Sequence, residues 1–268
     1  MNMAEIGIIG GSGLYQFISK GRELTVQTPY GPASDVLSVG EIAGRACAFL
    51  PRHGRRHHLP PHQVPYRANI YALKELGVTQ IIATSAVGAL TTKHAVGQFV
   101  FADQLVDLTS GRESTFYDGP ITTHVGFSDP YCPAMRKAAM AAAARLGLPC
   151  SDSATIVVVN GPRFSTRAES RHYAAQGWHL ENMTQMPEAA LARELTLSYL
   201  NVSLVTNSHA GSSESGQGEA VDAPTVIRAL GEHVDDLRRL ITAIVEELPP
   251  GNERPAEIRD ALKNARWV

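Results

Sequence analysis

Three features of the 268-residue sequence predict an α/β sandwich in one domain. Branched apolar runs of strand length recur, segments with helical spacing separate them, and no linker or fixed-period repeat divides the chain. The strand-like runs are Ile6-Gly7-Ile8-Ile9 and residues 81–84, 99–101, 155–159 and 202–206. Between them, residues 66–76, 133–146 and 186–195 carry Ala, Leu, Arg, Lys and Glu at helical spacing, the last opening with Pro187 and Glu188 in a first turn. The alanine-rich stretch 138–144, broken by Arg145, reads as an exposed or half-buried helix. Residues 224–248 put Val226, Leu230, Val234, Leu237, Ile241 and Ile244 on one stripe of a long amphipathic helix, stopped by Pro249-Pro250-Gly251. The tail 255–268 has too few apolar residues, Ile258, Leu262, Trp267 and Val268, for a core of its own. It is expected to dock on this subunit or a neighbour.

With 44% hydrophobic and 19% charged residues, the chain has material for a substantial core, which excludes disorder and coiled coil. Twenty-four Lys plus Arg against 26 Asp plus Glu give a formal charge of -2, and no broad positive field for a polyanion. A dedicated nucleic-acid binder is therefore not expected. Cys47, Cys132 and Cys150 are odd in number and widely spaced, which argues against a disulfide framework or a thiolate metal site and for a reducing cytoplasm. The apolar start at residues 6–9 is too short for a signal peptide or a membrane span.

Four segments could carry chemistry. Gly10-Gly11-Ser12-Gly13 follows the first strand, where glycines let backbone N–H groups converge on an anion and Ser12 adds a donor; a tight strand-to-helix turn would use the same residues. Its spacing is neither a dinucleotide fingerprint nor a P-loop. Pro51-Arg52-His53-Gly54 leads a basic loop through His57, His58 and His62, and the Arg52 fork beside His53 suits a tetrahedral oxyanion. Zinc is the competing idea, against which Gly54 and Pro60-Pro61 break any helix that would align the histidines; a solvated basic loop is the third. The segment Ala83-Thr84-Ser85-Ala86-Val87-Gly88 places small residues and the Ser85 hydroxyl at a strand's carboxyl end, where ligands gather in open sheets and where close helix packing is the alternative. The fourth group is Asn160 to Phe164, Glu181-Asn182-Met183-Thr184 and Thr206-Asn207-Ser208-His209, in which Phe164 alone reads as core and Asn207 alone as a turn or cap.

Taken together, Ile8 to Leu14, Arg52-His53-Gly54, Ala68 to Lys74, Gly161 to Phe164 with Ala168-Glu169, and Asn182-Met183-Thr184 with Pro187-Glu188 resemble the methylthioadenosine phosphorylase branch of the trimeric purine nucleoside phosphorylases. The resemblance is colinear over residues 6–244. It implies a single-domain twisted mixed β-sheet flanked by helices, and phosphorolysis, in which phosphate attacks C1′ of a purine nucleoside to give free base and ribose-1-phosphate. Carried over by motif, Ser12, Arg52, His53, Ser85, the Ala86 backbone and Thr184 would hold phosphate. Asn182 and Met183, the latter mainly through its backbone, would lie along the ribose, and Phe164 would pack against the base. His124 matches a residue that reaches the 5′ end of a neighbouring subunit's substrate, so a homotrimer is implied, with pairing into hexamers left open. Phosphate is a substrate, and no metal or other cofactor is implied.

One departure bears on the base. Where methylthioadenosine phosphorylases carry Asp-x-Asp, this chain has Asn207-Ser208-His209. An ionised Asp only accepts, which suits a 6-amino group with a protonated N7, whereas Asn can take N7–H on its carbonyl and donate its amide to a 6-oxo oxygen. Asn207 and His209 are the candidate catalytic residues; His209 can donate to O6 or N7, line the entrance or point to solvent, with the last two favoured. Ala223 aligns with a histidine that six-oxopurine phosphorylases of the mammalian kind use for the 5′-hydroxyl, and a small residue there leaves room for methylthio. Together these favour 5′-methylthioinosine, then inosine and guanosine. The alternatives are a methylthioadenosine phosphorylase that tolerates Asn207, and a noncatalytic nucleoside- or phosphate-binding protein.

Overall fold

A computed structural model describes residues 3–11, 14, 17–18, 21–208, 221–263 and 265–266. Its strands are β1 (Ile6–Gly10), β2 (Arg22–Leu24), β3 (Leu37–Ile42), β4 (Arg45–Pro51), β5 (Gln80–Ala89), β6 (Phe99–Val100), β7 (Gln104–Asp107), β8 (Cys150–Ser151), β9 (Thr155–Val158), β10 (Leu180–Asn182) and β11 (Ser198–Ser208). The helices are α1 (Tyr66–Glu75), α2 (Pro133–Leu146), α3 (Arg167–Ala175), α4 (Gln185–Glu194), α5 (Ala223–Glu247) and α6 (Ala256–Arg259).

The strands form one mixed sheet in the order β2-β3-β4-β1-β5-β10-β9-β7, with β11, β6 and β8 continuing from the other edge of β5. The spine β4-β1-β5-β11 is parallel, and its strands are buried on both faces, as continuous branched runs require. On one face α1 and α4 supply Ile70, Leu73, Ala189 and Leu191 to a core cluster. On the other, α2 and α5 supply Met135, Ala139, Leu240 and Ile244. Among the described residues, no helix is long and apolar enough to cross a membrane.

The alanine-rich stretch is the half-buried helix expected: Ala138, Ala139, Ala142 and Ala143 are buried against α5, where small side chains let the two helices approach closely, while Ala141 and Ala144 are exposed. Two expectations change. The strand expected over residues 81–84 continues to Ala89, so the segment read as a strand end is strand throughout. Met186 is extended, at φ -115° and ψ 134°, as its place before Pro187 favours, and regular helix begins at Pro187. In the tail, Ile258 docks into this subunit's own second cluster, while Trp267 and Val268 lie outside the described residues.

Candidate active site

One edge of β5 is shared by two strands that do not meet. β1 pairs with residues 80–83 and β10 with Gly88 and Ala89, while β11 follows the whole opposite edge. Thr84, Ser85, Ala86 and Val87 are thus left between β1 and β10, a divergence of the kind at which open α/β sheets bind ligands. A cavity of about 520 Å³ opens there. Thr84, Ser85, Ala86, Arg52, His53, Thr184, Asn182, Met183, Phe164 and Asn207 all line it. Gly11 represents the glycine-rich turn in the lining; Ser12 and His209 lie outside the described residues.

Arg52 is held in the gap by both backbone and side chain. Its N–H donates to Gly10 across the ends of β1 and β4 (2.9 Å). Its Nε and Nη2 donate to the two oxygens of Glu188, each at 2.7 Å, and Nη1 donates to the Thr84 carbonyl that lacks a strand partner (2.8 Å). Both members of the ion pair are buried, at 2% and 0% exposure, and Tyr199 also donates to Glu188 (2.7 Å). Burial disfavours the charge on Arg52, but the Glu188 carboxylate outweighs it and holds the guanidinium above its usual pKa. Three of five N–H groups are engaged, so two remain for an anion in the cavity.

His53 differs from the expected donor. Its Nδ1 lies 2.8 Å from the Leu59 carbonyl, which only accepts, so Nδ1 carries the proton. Burial, and then the neighbouring Arg52 charge, lower its pKa from 6.5 to about 4. At neutral pH, Nε2 is therefore an acceptor, suited to the O–H of a monohydrogen phosphate. The unfolded chain takes up this proton near pH 6.5 and the folded protein only near pH 4, so folding stability falls as pH drops through that window. His53→Gln should flatten this part of the stability curve. Denaturant midpoints at about pH 7, 5.5 and 4 test it, and an unchanged slope would assign the acid sensitivity elsewhere.

Two ribose candidates also have structural duties. Asn182 Oδ1 accepts from the N–H groups of Thr184 (2.7 Å) and Gln185 (2.8 Å), so its side chain holds the turn that leads into α4 while lining the cavity. The Met183 carbonyl already accepts from Arg112 (2.9 Å). Ser85 accepts from Asn201 (2.9 Å), whose Oδ1 accepts from Ser203 (2.5 Å), and this buried polar chain fixes the hydroxyl at the cavity wall.

His124 and Ala223 are not brought into this cavity. His124 is exposed and its N–H donates to Ala265 of the tail (2.7 Å). Ala223 is an exposed residue in the first turn of α5, because the stripe facing the cavity is that of Val226, Leu230 and Leu237. Sequence reasoning missed Glu188 and Glu181. Glu188 was legible only as a first-turn acid, and Glu181 only as an acid inside a short polar segment. Glu181 lies on β10, lines the cavity at 3% exposure, and is raised to about 7 by burial, against the hydrogen bonds of Ser165.

A mixed α/β sheet with a buried arginine at the divergence of two strands can hold an anion, and comparison with known proteins gives the class. The chain belongs to the Phosphorylase superfamily, whose model matches residues 5–248. It is 49% identical to a purine nucleoside phosphorylase of Streptomyces coelicolor, over 97% of this chain and 94% of that protein. It is 45% identical to a 6-oxopurine nucleoside phosphorylase of Pyrococcus furiosus, over 98% and 99%. Among solved structures, methylthioadenosine phosphorylase from Schistosoma mansoni in complex with adenine superimposes with a TM-score of 0.90 at 35% identity, covering 98% of this chain and 99% of that one.

Proposed function

We propose that the protein is a purine nucleoside phosphorylase selective for 6-oxopurine nucleosides, with 5′-methylthioinosine first among them. Phosphate is held under C1′ by the two remaining N–H groups of Arg52, by Ser85 and Thr184, and by the acceptor Nε2 of His53. A phosphate oxygen bonds to C1′ as the C1′–N9 bond breaks, and the electron pair leaves on the purine. The protein's contribution is to position the reactants and to stabilise charge on the leaving base.

The base assignment is carried by Asn207. Its Oδ1 accepts from the Thr206 hydroxyl (3.1 Å), and its Nδ2 is buried with no hydrogen-bond partner among the described residues. An unmet buried donor costs about 1–3 kcal/mol, which a 6-oxo oxygen would relieve and a 6-amino group would not. Val226, Leu230 and Leu237 supply the apolar wall that suits a methylthio group.

We further place the protein in a reducing cytoplasm, consistent with three free cysteines, and as a homotrimer in which exposed His124 serves a neighbour's 5′ pocket. Phosphate and nucleoside are its only reactants in this scheme. A panel of methylthioinosine, inosine and methylthioadenosine with and without phosphate tests the function. Base release should require phosphate, and hypoxanthine should appear faster than adenine. Equal release without phosphate, or faster adenine release, would overturn the respective part.

A further inference from the structure

The buried strand β11 carries polar residues that its place in the sheet does not call for. Side chains alternate between the two faces of a strand. Leu200, Val202 and Leu204 point into the cluster shared with α2 and α5, as a strand covered on both sides requires. Tyr199 and Val205, on the opposite face, join the cluster of α1 and α4. Between them in the same row stand Asn201 and Ser203, both fully buried. Burying an amide and a hydroxyl is unfavourable unless their polar atoms are paired, and a branched apolar residue at either position would serve the fold as well.

The register shows what the two residues face. Asn201 pairs with Ala83 and Ser203 with Ser85 across the parallel ladder, so both project on the face of Ser85. Asn201 Nδ2 donates to the Ala83 carbonyl (3.3 Å) and to Ser85 Oγ (2.9 Å), and its Oδ1 accepts from Ser203 Oγ (2.5 Å). The Ala83 carbonyl only accepts, so turning the amide round would set two oxygens against each other. Both amide hydrogens are therefore used, and Ser85 is the acceptor in its contact with Asn201. A hydroxyl has one hydrogen to give. That of Ser203 is committed to Asn201, and the Ser203 oxygen lies 3.5 Å from Ser85 Oγ, at the limit of a hydrogen bond. The Ser85 hydrogen is left for the cavity that Ser85 lines.

We infer that Asn201, backed by Ser203, is a positioning residue for the attacking anion: it occupies the acceptor side of the Ser85 hydroxyl, and so turns the Ser85 O–H toward phosphate. The inference rests on Ser85 being a phosphate ligand. The three groups stand head to tail, with Ser203 donating to Asn201, Asn201 to Ser85 and Ser85 to the anion, and each bond polarises the next. Fixed dipoles whose positive end meets the anion stabilise it without a further cation. The same face of β11 carries Tyr199, whose hydroxyl donates to Glu188 behind Arg52. Tyr199 and Asn201, two residues apart on one strand, thus stand behind two of the phosphate donors.

The test is steady-state phosphorolysis of methylthioinosine, with each substrate varied at a saturating level of the other. Asn201→Leu should lower kcat/KM for phosphate by roughly 5–50-fold and change kcat/KM for the nucleoside by less than about twofold, because saturating phosphate restores occupancy. Ser203→Ala, which removes only the outer hydroxyl, should lower the phosphate value by about two- to fivefold. In a Ser85→Ala background, which is itself impaired toward phosphate, neither substitution should cost anything further, since the hydroxyl they orient is gone. If Asn201→Leu does not fold, Ser203→Ala with and without Ser85→Ala carries the same comparison. An unchanged phosphate kcat/KM, an equal loss for phosphate and nucleoside, or a loss just as large in the Ser85→Ala background overturns the inference and leaves the phosphorylase reading standing. A Ser85→Ala enzyme that uses phosphate as the wild type does would show that Ser85 is no ligand, and the inference would fall with that assignment.

Discussion

Glu188→Ala should destabilise the protein by about 3–5 kcal/mol and abolish phosphorolysis. The cause is the charge that remains. Arg52 is 2% exposed, and Glu188 takes two of its three protein hydrogen bonds. Without the carboxylate, the guanidinium is buried and uncompensated, and the Tyr199 hydroxyl loses its 2.7 Å acceptor as well. Turning the arginine elsewhere would also free the Thr84 carbonyl in the gap of β5. The control is the double variant Arg52→Met with Glu188→Leu, since replacing both members of a buried pair with apolar groups is often neutral or stabilising. It should recover most of the unfolding free energy, measured with urea, and none of the base release. A single variant within about 1 kcal/mol of wild type would show that the pair does not support the fold, and a double variant that still releases base would show that it does not hold the anion.

The same pair shows why the site was only partly legible in the sequence. β1 and the long strands β5 and β11 announce themselves as branched runs, and α1, α2 and α5 by periodicity, because burial on one stripe or on both faces writes a local pattern. β2, β8 and β10 are two or three residues long, below the length at which any period shows. β10 is harder still, since its Glu181 and Asn182 are polar residues buried by cavity and turn duties that no local rule anticipates. Arg52 and Asn207 were legible as chemistry from their motifs. What they touch was not, because the pairings of Arg52 with Glu188 and of both Glu181 and Asn207 with Gly88 join positions far apart in the chain. The unpaired stretch of β5 exists only once β1 and β10 have both claimed one edge. Ala223 misled for the complementary reason: helical phase, not proximity in sequence, decides that Val226 and Leu230 face the cavity.

Asn207→Asp should shift base preference toward adenine, by on the order of 10²–10⁴ in the ratio of kcat/KM values for methylthioinosine and methylthioadenosine. The first contribution is direct. The buried Nδ2 that has no protein partner becomes a carboxylate oxygen, which repels a 6-oxo group and accepts from a 6-amino group. The second acts across Gly88. A new negative charge roughly 9–10 Å from Glu181 disfavours its ionised form by about 1–2 kcal/mol at an effective dielectric near 20. The carboxyl there is already raised to about 7 by burial, and the added charge raises it further. More of the enzyme then carries the neutral acid, which can donate a hydrogen bond where the carboxylate only accepts. The two contributions separate experimentally, because only the second requires a titrating residue at 181. In the Glu181→Gln background, Asn207→Asp should keep the direct shift and lose the displacement of the pH profile to higher pH. If Asn207→Asp leaves the ratio unchanged at all pH values, Asn207 does not touch the 6-position. If the profile moves equally with Gln at 181, the coupling runs through another group.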